Sequence, residues 1–147
     1  MGRWQVRVAA LVATLALTPM ALLACAGSGD DAAPTSTVDP TGREWVLAEL
    51  EGEPVPDIAE ITLTVEDGQL SGSAGCNRYT GTVDLADQSI SMDSEVASTM
   101  MACPEDVMAL EQSYLAAIAS AAGWTATDDQ FTLLDADGNP VAVFAQP

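Results

Sequence analysis

The sequence predicts an α+β fold, a compact single domain of about eight antiparallel β-strands, sheet or barrel-like, with one α-helix near residues 104–122 packed on it. Three observations lead there. Short runs alternate apolar and polar residues with a period of two, as in Ile61, Leu63 and Val65. Turn residues such as Asp67-Gly68 and Gly138-Asn139 punctuate those runs. A single stretch keeps a helical period, placing Val107, Leu110, Tyr114, Ile118 and Ala121 on one stripe.

In chain order, Glu44 to Leu50 forms the first strand, although both parities carry apolar residues: Trp45 and Leu47 on one, Val46, Ala48 and Leu50 on the other. Pro54 and Pro56 then impose a loop. Ile61 to Glu66 alternates as a half-buried strand, Asp67-Gly68 turns it tightly, and Gln69 to Ala74 returns. Thr80 to Leu85 and Ser89 to Met92 are two further strands around Ala86-Asp87-Gln88. Pro104, with Glu105 and Asp106 behind it, opens the helix, because its fixed φ suits the first helical position and the acids meet the positive end. Gly123 is expected to end it. Strands at Trp124 to Thr127, Gln130 to Leu134 and Val141 to Ala145 complete the set. Asp135, Asp137 and Asn139 lack the ligand spacing and distant glutamate of a calcium loop and read as a hairpin turn.

The beginning of the chain reads as an address. Arg3 and Arg7 precede an apolar run from Val8 to Ala24, interrupted by Thr14, Thr18 and Pro19 and too short for a spanning helix. Its end, Leu22-Leu23-Ala24-Cys25, resembles the lipobox of bacterial lipoproteins, which implies acylation of Cys25 with chains such as palmitate. The organisation expected is therefore a lipoprotein signal peptide at 1–24, a lipidated Cys25 with a flexible, Pro-rich tether at 25–42, and a folded domain at 43–147. The domain would sit on the extracytoplasmic side of the cell membrane, with the bilayer as a partner through Cys25.

Charge and missing residue types narrow the chemistry. The formal net charge is −18, and removal of the signal would leave Arg43 and Arg78 facing 22 acidic residues. Nucleic acid is excluded as a partner, since no cationic surface is available to release phosphate counterions. With no histidine and no lysine, histidine-activated nucleophiles, Ser-Lys dyads, Schiff bases and histidine-bound zinc are unavailable. Carboxylate chemistry, with or without a divalent cation, is what remains open to an enzyme.

The domain keeps two cysteines, Cys76 and Cys103, whose expected fate in an oxidising compartment is one disulfide; a redox role is the alternative. Cys76 lies in Gly72-Ser-Ala-Gly-Cys-Asn-Arg-Tyr-Thr-Gly81. Its glycines point to a bent or closely approached backbone, and no phosphate-loop lysine follows. Asn77, Arg78 and Tyr79 are the candidate binding residues of this stretch, the competing readings being a turn residue, a surface ion pair and core packing. Met100 and Met101 are expected to fill the core, a thioether metal site being the less favoured reading. No metal, cofactor or catalytic residue is assigned.

With these residues set out, the domain resembles the META domain, or HslJ-like, family. The likeness rests on Trp45, Leu47 and Leu50; on Ser71 to Gly81 with its Gly-Cys-Asn core; on Ser98-Thr-Met-Met-Ala-Cys103; on Glu111-Gln-Ser-Tyr114-Leu115; and on Phe131 to Gly138 followed by Val143-Phe144. Val83 and Ile118 depart slightly from its pattern. The resemblance implies antiparallel strands with a helix against them, frequent occurrence in envelope lipoproteins, and a loose association with stress response; it implies no catalytic motif. The functional expectation is a non-catalytic envelope lipoprotein that binds an envelope protein or small ligand, or supports the envelope under stress. The alternative is a carboxylate-dependent hydrolase.

Overall fold

The computed structural model describes residues 38–92 and 96–147. The expected signal peptide, Cys25 and the tether as far as residue 37 lie outside the described residues. The elements run β1 (Glu44–Leu50), β2 (Glu53–Pro54), β3 (Thr62–Glu66), β4 (Gln69–Ser73), β5 (Arg78–Ala86), β6 (Ser89–Met92), β7 (Ala97–Ser98), α1 (Glu105–Ser120), β8 (Gly123–Ala126), β9 (Gln130–Leu134) and β10 (Pro140–Ala145).

Antiparallel pairing runs β1, β3, β4, β5, β6, β8, β9, β10, and β10 pairs back onto β1 with Val46 opposite Ala145 and Leu50 opposite Ala142. Eight strands therefore close a barrel, the firmer of the two arrangements that the sequence left open. These are the eight strands expected from the sequence. The two-residue β2 and β7, hydrogen-bonded to β1 and β5, are too short to show a period. The thinnest seam joins β6 to β8, where Ser89 opposite Gly123 is the one registered pair. The Trp124 indole reinforces it by donating to the Ser89 carbonyl at 3.1 Å.

Two local expectations change. The double parity of β1 is explained by an irregularity between Leu47 and Glu49, which resets the alternation so that Trp45, Leu47 and Leu50 all point inward. Gly123 is not a helix cap. The helix stops at Ser120, with Ala121 extended at its C-cap, and Gly123 opens β8, where a Cβ would lie 3.3 Å from the Gln88 carbonyl oxygen. Pro104 likewise stands one position earlier than expected, as the N-cap. Residues 38–42, compositionally part of the tether, make contacts with the barrel: Pro40 is fully buried, its carbonyl accepts the Trp45 indole N–H at 2.9 Å, and Gly42 N–H donates to Val65.

An eight-stranded barrel is just wide enough for side chains to fill. Here Trp45, Leu63, Leu70, Phe131, Leu133 and Phe144 are fully buried inside it. One chain of ring contacts crosses the core, from Trp45 to Phe131 at 5.7 Å, to Phe144 at 6.0 Å, to Tyr114 at 6.2 Å and to Tyr79 at 5.6 Å. Tyr114 belongs to the helix, Phe144 to β10 and Tyr79 to β5. Those two strands are four steps apart whichever way the ring is followed. A side chain that touches both spans the barrel, so the helix stoppers its mouth.

The β9–β10 hairpin turns on Asp135, whose carboxylate accepts the N–H groups of Asn139 at 2.8 Å and Asp137 at 2.9 Å and the Asn139 side-chain amide. These bonds, led by the Asn139 backbone N–H, hold the Asp135 carboxyl below the usual carboxylate range. A carboxyl depressed in the folded state contributes stability that is present above its unfolded pKa and is lost as pH falls through the folded value. Asp135→Asn should therefore reduce the loss of stability on acidification below about pH 4. Urea midpoints across pH check this, and an unchanged acid limb would show that the turn does not sense protons.

Candidate functional site

The residues singled out in the sequence converge where the helix meets the β4–β5 corner. The chain leaves β4 at Ser73, turns through Gly75 at φ +103°, and re-enters a strand at Arg78. Gly75 is required there by its left-handed backbone and by Ala59, whose Cβ a side chain would meet at 3.2 Å. Gly72 is required for a different reason. A Cβ on it would overlap the Thr62 carbonyl oxygen, and it would come within 3.0 Å of the Tyr79 hydroxyl. The space that glycine leaves is where Tyr79 donates to that carbonyl at 2.8 Å.

Asn77 is the hub of the corner. Its backbone N–H donates to Glu111 Oε2 at 2.7 Å and its Nδ2 to Glu111 Oε1 at 2.8 Å. Its Oδ1 accepts from Thr99 Oγ1 at 2.9 Å and from the Met101 N–H at 2.6 Å, and its own carbonyl accepts from Ala74 N–H at 2.7 Å. One residue thus ties the turn to itself, to the helix and to the 99–101 segment. Thr99 extends the tie by bracketing Arg78, accepting its N–H at Oγ1 and donating its own N–H to the Arg78 carbonyl. The Cys76–Cys103 disulfide, with Cα atoms 6.0 Å apart, fastens the same corner to the residue before the helix N-cap.

Beneath this corner lies a chain of hydroxyls. Thr62 contributes a carbonyl, which can only accept, so Tyr79 donates to it and Tyr114 must donate to Tyr79, across 2.7 Å. Burial pushes both phenols well above the ordinary tyrosine range, which keeps their protons in place.

The expected site residues therefore separate. Asn77 and Tyr79 are buried, with their polar groups engaged inside the protein, whereas Arg78 is exposed. Cys76 and Cys103 are joined as the cysteine count suggested. Glu111 is not among the candidate site residues that the sequence offers, yet it carries the helix side of the joint. Its signal is a charge on the apolar stripe, four residues after Val107 and three before Tyr114. The expectation that Met100 and Met101 fill the core is corrected: they are 98% and 59% exposed. Asn77 holds the backbone of Met101 against the corner, and the two thioether side chains are left outside with Met108, which is 43% exposed.

A family model of the META domain matches residues 38–147. Among solved structures, the chain is similar to an NMR structure of a protein from Burkholderia xenovorans, at 28% identity and a TM-score of 0.58, covering 74% of this chain and 83% of that one. A crystal structure of a DUF4847 family protein from Bacteroides vulgatus shares the fold at 15% identity and a TM-score of 0.57, covering 74% and 94%. A second NMR structure shares it at 24% identity and a TM-score of 0.57 with the same coverages. No curated protein matches the chain.

Two outcomes are expected of the joint. Glu111→Gln places an amide donor against a donor of Asn77, whose own Oδ1 is occupied twice and cannot flip to receive it; the loss should be about 1–3 kcal/mol in chemical denaturation. Reducing the disulfide, which spans a sequence separation of 27, should cost about 3–4 kcal/mol through regained chain entropy. A melting temperature indifferent to reductant would remove that role.

Proposed function

The chain belongs to the META domain family, and from that premise we propose that it is a lipid-anchored envelope protein whose domain binds or braces at its outer surface and catalyses no reaction. The observation that carries this reading is where the family-signature residues are spent. Gly72, Asn77, Tyr79, Thr99, Glu111 and Tyr114 all make or make room for internal bonds. Both oxygens of Glu111 accept from Asn77, and the two phenols keep their protons under burial. These six residues, engaged in holding a stopper in a barrel, are not free for proton transfer or nucleophilic attack. Function then falls to exposed surface features, and to position.

Position rests on the sequence. The lipobox-like Leu22-Leu23-Ala24-Cys25 supports acylation, and residues up to about 37 supply a polar spacer. A highly acidic domain on such a spacer is held off anionic lipid by repulsion.

The test is rescue of a deletion strain under envelope stress, with membrane and soluble fractions assayed in parallel. Wild-type protein should restore survival from the membrane fraction. Cys25→Ser should leave unprocessed precursor or appear in the soluble fraction, and should rescue poorly. Single neutralisations of exposed acids, such as Glu53→Gln, Asp57→Asn or Glu105→Gln, should rescue fully. An exposed carboxylate whose loss abolishes rescue while the protein stays folded and anchored would favour a hydrolase instead.

A further inference from the structure

Methionines at the surface need a reason, because burying a thioether in a core is favourable and leaving it in water forgoes that gain. Met100, Met101 and Met108 are all exposed, and all three line one shallow cavity of about 320 Å³ together with Thr99, Asn77 and Glu111. Their convergence is imposed by the joint. Met101 N–H is fixed to Asn77 Oδ1, Asn77 is fixed to Glu111, and Met108 stands three residues before Glu111 on the same helix, hence on the same face. Met100 is carried along by its neighbours Thr99 and Met101, both of which are held by Asn77. Three methionines thus line one opening in a domain that has no histidine and whose two cysteines are bonded to each other.

We propose that this cavity is a binding site for a soft monovalent d10 cation, copper(I), held by the thioethers of Met100, Met101 and Met108. Thioethers select such an ion over harder divalent cations, which prefer the carboxylates and carbonyls that cover the rest of the surface. The unbranched side chain, with three rotatable bonds, lets each sulfur swing over the opening without disturbing the backbone that Asn77 fixes. The acidic field of the domain raises the local concentration of any cation around it. Binding is coordination alone: the metal keeps its oxidation state, and no bond of the protein breaks.

Silver(I), the redox-stable analogue, is the probe, titrated into the full chain with Cys25 alkylated and the disulfide intact, and followed through the methionine ε-methyl resonances. The ε-methyls of Met100, Met101 and Met108 should shift together and saturate at one equivalent, while that of Met92, packed against the core, stays in place. Replacing any of the three by leucine, which keeps the apolar bulk, should weaken binding by about tenfold or more with an unchanged circular dichroism spectrum. Absence of shifts, independent shifts without a common saturation point, or leucine variants that bind as tightly as wild type would each overturn the proposal.

Discussion

Closing eight strands into a barrel removes the sheet edges but leaves an end, and that end exposes apolar interior unless something fills it. The fold depends on how it is filled. Tyr114 reaches across the barrel from Phe144 to Tyr79, but a single helix resting on a barrel mouth has only its apolar stripe to hold it. The paired hydrogen bonds between Asn77 and Glu111 supply the direction that hydrophobic contact lacks. They set the rotation of the helix about its own axis, because a carboxylate that faces the turn with both oxygens cannot do so from another face. With the rotation set, Tyr114 and Ile118 follow one and two turns later, pointing into the core.

What the sequence made legible was whatever repeats. Alternation and turn residues together located the eight barrel strands, and the 3.6-residue stripe located the helix to within two residues at either end. Closure of β10 onto β1 was illegible because pairing between distant strands leaves no local pattern, and the parity of β1 was hidden by its bulge. The polar joint was illegible for a related reason. Asn77 and Glu111 are 34 positions apart, and nothing about either alone announces a partner. The methionines misled because thioether composition is ordinarily a core signal. Their exposure follows from one backbone hydrogen bond, that of Met101 N–H, which no periodicity encodes.

The same geometry gives each of several corner residues its own constraint. Gly72 is fixed by the Thr62 carbonyl, Gly75 by its positive φ, Asn77 by five hydrogen bonds, and Thr99 by its double contact with Arg78. Each has a steric or bonding reason that admits few alternatives. The exposed side chains of Met100 and Arg78 take no part in these bonds. The joint is therefore silent about ligands, and likeness of fold to the DUF4847 protein carries no function across.

The disulfide and the hydrogen-bonded joint stand at one corner but stabilise by different routes. The disulfide acts chiefly on the unfolded chain, by closing a loop. The Asn77–Glu111 pair acts on the folded state, where its donors and acceptors are shielded from water. Their effects are not independent, since the same residues 76–103 contain both Asn77 and the Thr99–Met101 segment bonded to it. Cutting the disulfide frees Cys103 and the first helical turn, yet Glu111, nearly two turns further in, still holds the helix over the barrel. Opening should therefore begin at Pro104 to Met108 and stop there while the joint survives. Breaking the joint with the disulfide intact does the reverse: the helix start stays tethered while the buried carboxylate loses its partners, and the penalty falls on the stopper itself. The disulfide keeps the corner together through partial opening, and the joint decides whether the barrel is closed.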